Sequence, residues 1–320
     1  MSLPAGARVL GSVGGGDINE AFHVVLEDGR EAFVKTRPDA SPGEYEAEAS
    51  GLTWLGEPGA LPVPEVLEVG EDYLAMEWIS RGGLGVAGEE QLGRGLAAVH
   101  DAGSPVFGLQ PAVNRADAVA GARAGAGAGV DAGAGAGAGV DAGAGADAAS
   151  RRTAAHPARF GSLGLPNDPA EDWATFYAER RLRPLARRAW DTGALSEQGV
   201  EAVVRVCRRM VDLVGPAEPP SRLHGDLWAG NVMGDTDGRP WLIDPSAFGG
   251  HREVDLAMLR LFGGPSERTF SAYEESHPLA DGWRDRVELY QLAPLLVHAL
   301  LFGGSYRQSA ERVAFRYGGR

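Results

Sequence analysis

The sequence predicts an α+β, bilobal protein: a small antiparallel β-rich lobe with one helix over residues 1–80, then a mainly helical lobe over 81–320. Three observations predict it. Residues 8–80 alternate short apolar runs with glycine-bearing turns, a strand-and-hairpin pattern. From Glu89 onward the apolar residues recur at helical spacing instead. A chain of 320 residues is also long enough to bury a substantial core in one large domain or in two lobes.

In the first lobe, Arg8 to Val13 reads as a strand leading into the glycine run Gly14-Gly15-Gly16-Asp17. Ala21 to Glu27 and Glu31 to Lys35 flank Asp28-Gly29, and such a pair between apolar runs signals a hairpin because the turn needs positive φ. Ser41-Pro42-Gly43-Glu44 opens a helix with Tyr45, Ala49, Leu52 and Leu55 on one face. Pro62 and Pro64 end that stretch, and Val66 to Val69 and Tyr73 to Trp78 follow as strands. A hinge is expected near Glu77 to Gly83.

In the second lobe, Leu92, Leu96 and Val99 mark a helix ending at Asp101-Ala102-Gly103. Further helices are expected through Trp173 to Leu185, Val200 to Leu213, Glu253 to Phe262 and Trp283 to Phe302, with a hairpin around Asp235-Thr236-Asp237-Gly238. Residues 118–150 stand apart. They are almost entirely Ala, Gly and Asp, and one decamer occurs at 124–133 and again at 134–143. With so little apolar bulk to offset chain entropy, this segment is expected to be a disordered insertion in a loop of the helical lobe.

Composition narrows the function. Asp and Glu outnumber Lys and Arg by 44 to 30, for a formal charge of −14. A nucleic-acid partner calls for a basic face, so the balance points instead to a neutral or cationic small molecule. Cys207 is the single cysteine and lies in an apolar helical run, which excludes an intramolecular disulfide and suggests an inert buried thiol. The N-terminus lacks the basic and apolar regions of a signal peptide, and no apolar run reaches the ~18 residues that span a bilayer. The expected location is cytoplasmic, with no membrane association and no obligate protein partner.

The chemistry is concentrated in His224-Gly225-Asp226-Leu227-Trp228-Ala229-Gly230-Asn231, followed by Leu242-Ile243-Asp244-Pro245. An Asp, an Asn five residues later and a second Asp after a short apolar run are what phosphoryl transfer from a magnesium nucleotide requires. One carboxylate takes the proton of the attacking hydroxyl, while the amide and the other carboxylate hold metal against the phosphates. The spacing is that of a kinase catalytic loop, with Gly225 in place of the usual arginine. The glycine run Gly14, Gly15 and Gly16 can offer backbone N–H groups to phosphates. Lys35 ends the third strand, where a lysine oriented by a helix carboxylate grips phosphate oxygens, and Glu48 is preferred over Glu44 as that carboxylate. Each feature has a plainer reading, a turn or a solvated lysine, but their joint order argues for one site. His224 reads as scaffold, and Asp255 as a brace for the catalytic loop through backbone hydrogen bonds. His23, His100, His156 and His277 show no metal-ligand spacing.

The matching pieces resemble the fructosamine kinase (ketosamine-3-kinase) family, within the protein-kinase-like fold shared with aminoglycoside phosphotransferases and choline kinases. They are Gly14-Gly15-Gly16-Asp17-Ile18-Asn19, Phe33-Val34-Lys35, Glu48-Ala49-Ser50-Gly51-Leu52, Met76-Glu77-Trp78, the His224–Asn231 segment, Ile243-Asp244-Pro245, Gly250 to Met258, and Leu261-Phe262-Gly263-Gly264. The resemblance implies ATP-dependent phosphorylation of the sugar 3-hydroxyl of fructosamines or ribulosamines, on free or protein-bound amines. The labile product makes phosphorylation a route to deglycation.

On this reading the cofactors are ATP and Mg²⁺ and the partner is a ketoamine. Met76, Glu77, Trp78 and Ile79 present the hinge to adenine, and Lys35, oriented by Glu48, holds phosphates. Asn231 and Asp244 hold magnesium, Asp226 receives the hydroxyl proton, and Trp228 and Arg252 lie on the substrate side. The interval from Asp244 to Arg252 is too short for a regulated activation loop, so no activating phosphorylation is expected. Two alternatives remain at this point: an aminoglycoside- or choline-type phosphotransferase, and a catalytically silent nucleotide-binding module.

Overall fold

The computed structural model describes residues 2–14, 19–109, 158–160 and 163–319. Gly15, Gly16 and the insertion at 118–150 therefore lie outside the described residues. The chain divides into two compact units. Of the described residues, the first holds those up to Ser50 together with Glu65–Glu77, and the second holds Gly51–Pro64 and everything from Trp78 onward.

The first unit is built on a five-stranded antiparallel sheet of β1 (Arg8–Ser12), β2 (Glu20–Val25), β3 (Glu31–Thr36), β4 (Val66–Val69) and β5 (Tyr73–Glu77). Its spatial order is β1-β2-β3-β5-β4. The expected hairpin closes at Asp28-Gly29, where Gly29 takes φ +88° and the Leu26 N–H donates to the Arg30 carbonyl at 2.9 Å. Val24, Ala32, Val34 and Ala75 form the apolar face of the sheet. Helix α1 (Glu44–Gly56) begins at the predicted glutamate and buries Tyr45, Ala49, Leu52 and Leu55.

The second half of α1 groups with the helical unit, because its side chains pack there. Trp54, Leu55 and Leu61 share a core with Leu92, Leu96 and Val99 of α2 (Val86–Asp101). Gly51 lies so close to Ala247 that an added Cβ would sit 3.2 Å from the alanine methyl. A boundary drawn once along the sequence misses this, since Gly51–Pro64 falls between two pieces of the first unit.

In the second unit, β6 (Arg81–Gly82) follows directly on the crossover from the first unit, and β7 (Ala158–Phe160) pairs with β8 (Leu163–Leu165). The single helix predicted over Trp173 to Leu185 is interrupted. One α-turn, α3 (Trp173–Phe176), gives way to a π-helical segment over Tyr177–Leu182, and α-geometry resumes in α4 (Arg183–Thr192). Pro184 supplies the reason. It has no N–H to give to the Arg180 carbonyl, which instead accepts from Arg181 Nη1 at 3.1 Å.

Helix α5 (Glu197–Arg208) and the short α6 (Met210–Leu213) replace the predicted single helix, divided at Arg209 with φ −101° and ψ 6°. β9 (Ser221–Leu223), β10 (Val232–Asp235), β11 (Pro240–Leu242) and β12 (Phe248–Gly250) form two small sheets, ordered β11-β10-β6 and β12-β9. Helices α7 (Glu253–Leu259), α8 (Glu267–Ser276), α9 (Trp283–Phe302) and α10 (Ser305–Gly318) complete the unit. The two small sheets position the site, since the segment between β9 and β10 carries Asp226 and Asn231, and the one between β11 and β12 carries Asp244.

Candidate active site

Within the first unit, the structure brings Lys35 and Glu48 together as a buried ion pair between Nζ and Oε2. Lys35 stands on β3 opposite Leu74, and is 6% exposed. A lysine this buried needs a carboxylate beside it. Glu44, the other candidate, is occupied elsewhere: its Oε1 and Oε2 accept from Arg37 Nη2 at 2.9 and 2.8 Å, and Oε2 also accepts the Ser41 N–H at 3.1 Å, which fastens the start of α1. Tyr45 donates its hydroxyl to Asn19 Oδ1 at 3.1 Å, and burial pushes that phenol up to about 12. Among the described residues, nothing lies within 4 Å of where a Cβ on Gly14 would sit. Met76 is buried at the end of β5, the Glu77 N–H donates to the Glu65 carbonyl at 2.8 Å, and Trp78 and Ile79 open the second unit.

In the second unit, the chain turns sharply after β9. Gly225 adopts φ +82°, and an added Cβ there would run into the Ser246 carbonyl oxygen. This explains why no arginine stands at the position. Asp255 of α7 is fully buried and grips the turn, its Oδ2 accepting the His224 N–H at 2.8 Å and its Oδ1 accepting the Gly225 N–H at 2.9 Å. The expected brace is therefore present. Its Oδ2 also lies 3.2 Å from His100 Nε2, while His100 Nδ1 lies 2.8 Å from the Tyr273 hydroxyl.

His224 is buried scaffold. Its Nδ1 accepts the Asp226 N–H at 3.3 Å, so Nε2 carries the hydrogen and donates to the Ile243 carbonyl at 2.9 Å. Burial holds its pKa below the ordinary imidazole value, in keeping with a neutral ring. This histidine thus ties the Asp226 segment to the Asp244 segment.

Asn231 completes the cluster at the end of a short 3₁₀ turn. Its Nδ2 donates to the Asp226 carbonyl at 2.8 Å, to Asp226 Oδ2 at 3.4 Å and to the Asp244 carbonyl at 3.4 Å. With the nitrogen so committed, Oδ1 is the group left for a cation. Asp244 is exposed and takes φ +53°, the single non-glycine residue with positive φ among the described residues. Aspartate is among the few non-glycine residues that visit this left-handed region. Desolvation and the charges of Asp244 and Asp255 push Asp226 up to about 7, against a lowering contribution from Asn231. The Asp244 carboxylate and the Asn231 amide oxygen are hard oxygen donors of the kind that suit magnesium, which takes one or two protein carboxylates and completes its shell with phosphate oxygens and water.

A profile of the Fructosamine kinase family matches residues 6–119 and 157–317. The chain belongs to the fructosamine kinase family. It is 34% identical over 295 residues to a Thermus thermophilus protein provisionally named a ketoamine kinase, covering 91% of this chain and 87% of the relative. A chloroplastic protein-ribulosamine 3-kinase of Arabidopsis thaliana is 31% identical over 316 residues, covering 96% and 82%. A crystal structure from Thermobifida fusca, provisionally named a fructosamine-3-kinase, superposes with a TM-score of 0.78 at 38% identity and covers 98% and 93% of the two chains. Choline kinase and aminoglycoside phosphotransferase structures share the fold alone. Family membership makes the chain a phosphotransferase with an alcohol acceptor, and a kinase implies ATP as donor. Among the described residues no helix is long and apolar enough to cross a membrane.

Trp228 is 40% exposed and lies across Gly230, whose added Cβ would strike the indole. Its backbone N–H donates to the Asp226 carbonyl at 3.1 Å, which fixes the main chain of the turn between the two residues. Arg252 has a different place from the one expected on the substrate side. It is buried, bonded to Glu218 through Nε and Nη2 at 2.7 Å each, and donates to the His277 and Pro278 carbonyls at 3.1 and 2.8 Å. Its neighbour Glu253 is paired with Arg286 at 2.8 and 2.6 Å. These pairs fasten the start of α7, and with it Asp255. Glu218 gave no signal in the sequence, because it lies in a proline-flanked loop with no motif around it.

Proposed function

We propose that the chain is an ATP-dependent ketoamine kinase that phosphorylates the sugar 3-hydroxyl of ribulosamines or fructosamines. The observation that supports this best is the Asp226–Asn231–Asp244 cluster, held by Asp255 and His224, in a chain of the fructosamine kinase family. On this reading Asp226 orients the sugar hydroxyl and accepts its proton as the oxygen attacks the γ-phosphorus. The bond to the β-phosphate oxygen breaks, leaving ADP and the 3-phosphorylated ketoamine. Asn231 and Asp244 would hold Mg²⁺, which neutralises charge on the phosphate oxygens. Lys35, held by Glu48, is assigned to the α- and β-phosphates together with Gly14, Gly15 and Gly16, and Met76, Glu77, Trp78 and Ile79 are assigned to the adenine. Trp228 serves the substrate side.

The interval after Asp244 supports constitutive competence. It is occupied by β12, which pairs Phe248 with Leu223 immediately before the catalytic turn, and leaves no span for an activation loop. The test is ATP turnover on ribuloselysine, fructoselysine and kanamycin side by side. Turnover confined to the ketoamines is expected. Turnover of kanamycin alone would establish the aminoglycoside-type alternative, and no turnover of any acceptor would favour a silent nucleotide-binding module.

A further inference from the structure

We propose that an aromatic strip beginning at Trp228 binds the carrier arm of the glycated amine, the aliphatic lysine-type chain with its protonated secondary amine. This rests on the ketoamine reading above and adds which part of the substrate is recognised, and where. Five rings from three separate stretches of sequence run together. Trp228 meets Phe262 edge to face at 6.3 Å between centroids, Phe262 meets His298 at 4.8 Å and Tyr306 at 6.2 Å, and Phe302 meets His298 at 5.5 Å and Tyr306 at 6.2 Å. The pair Gly303 and Gly304, with φ +64° and +60°, reverses the chain between α9 and α10 and so brings Phe302 and Tyr306 together.

Two features mark this strip as a binding surface. It is open to solvent at both ends, with Trp228 40% and Phe302 59% exposed. Elsewhere in the second unit, several aromatic faces are covered by the protein's own cations: Arg181 over Phe176 and Phe248, Arg222 over Trp54, Arg260 over Phe270 and Trp283, and Arg316 over Tyr317. Among the described residues no guanidinium lies over any of the five strip rings, so the exposed rings Trp228 and Phe302 meet no such cation of the protein's own.

The occupant follows from chemistry and position. Trp228 stands two residues after Asp226 on the same turn, its backbone N–H donating to the Asp226 carbonyl, so the strip starts within one turn of the residue assigned to the acceptor hydroxyl. In a ketoamine, only a three-carbon run separates the reacting 3-hydroxyl oxygen from the amine nitrogen. A sugar engaged at Asp226 therefore carries its amine close to Trp228, and the arm beyond it has the remaining rings to lie along. An ammonium at an aromatic face and methylenes against ring edges both suit such a surface, and the acidic chain, at −14, suits a cationic substrate.

The experiment compares kcat/KM for two ketoamines of the same sugar, one on Nα-blocked lysine and one on methylamine, in the wild type, Phe302→Ala and Trp190→Ala. Phe302 is exposed, so its truncation tests contact more than folding. Phe302→Ala is expected to lower the preference for the lysine-borne over the methylamine-borne substrate by about three- to ten-fold, through KM, as befits the loss of apolar contact with one or two methylenes of the arm. Trp190, 55% exposed on α4, serves as a control for losing a surface aromatic, and its variant should keep the wild-type preference. An unchanged preference in Phe302→Ala, with the wild type turning over both substrates, overturns the strip assignment alone. Absence of wild-type turnover on either ketoamine overturns the ketoamine reading and the strip with it.

Discussion

Replacing Asp255 by Asn tests whether the catalytic turn is held by that one side chain. The carboxylate accepts the His224 N–H at 2.8 Å on one oxygen and the Gly225 N–H at 2.9 Å on the other, at a fully buried position. An Asn side chain keeps a single acceptor oxygen. Whichever way it turns, its NH₂ faces one of the two backbone N–H groups, donor against donor. Hydrogen bonds to a charged acceptor contribute about 1.5–3 kcal/mol each, and a buried donor left unpaired costs about 1–3 kcal/mol. The expected loss of stability is about 2–4 kcal/mol, read as a lowered denaturation midpoint in urea. The turn carries Asp226 one residue beyond Gly225, so kcat should fall by roughly ten-fold or more, about 1.4 kcal/mol or more in the barrier. Affinity for ATP, measured by calorimetry, should stay within a few-fold, because no nucleotide contact is assigned to the turn. A variant with the wild-type midpoint and the wild-type kcat would refute the reasoning. The pairing of β9 with β12 would then suffice to hold the loop.

Three further outcomes are expected. Asp226→Asn should lose about 10²–10⁴ in turnover, the usual worth of a positioned base, while binding ATP within a few-fold; near-normal turnover would remove Asp226 from the proton-accepting role. Asp244→Ala should weaken binding of the magnesium nucleotide itself, and unchanged affinity and turnover would reduce Asp244-Pro245 to a turn. His251 is 3% exposed, and burial holds it down at about 4, below its unfolded value near 6.5. The folded state therefore resists protonation that the unfolded state accepts: stability is complete above about pH 6.5 and declines as pH falls toward 4, by on the order of 3 kcal/mol. Melting curves across that window should show the decline, and His251→Gln should lessen it; an equal slope in the variant would assign the acid sensitivity to other groups.

What the sequence made legible was whatever a few neighbouring residues determine. The Asp28-Gly29 and Asp235–Gly238 turns are set by glycines at φ +88° and +78°, and both hairpins form where predicted. Asn231 is five residues from Asp226 because its amide must reach that residue's carbonyl across one short turn, so spacing alone identifies the pair. The features missed depend on remote partners. The fate of Arg252 is decided by Glu218 and by carbonyls at 277 and 278, which no local pattern announces. Helices α8 and α10 went unread although the signals were present, a Ser266 cap for the first and Tyr306, Ala310, Val313, Ala314 and Tyr317 at helical spacing for the second.

Gly225 joins the two kinds of information. The sequence shows a glycine where a kinase loop ordinarily carries arginine, and reads it as a departure from the pattern. The structure shows a positive φ and a carbonyl oxygen in the way of any side chain. A long side chain cannot anchor the loop from this position, so the anchor has to act on the backbone. Asp255 does so by accepting the N–H groups of His224 and Gly225 themselves, and the pairs Arg252–Glu218 and Arg286–Glu253 secure the helix that presents it. The glycine and the buried aspartate thirty residues later thus form one arrangement: the conformation that the first permits is the one that the second holds.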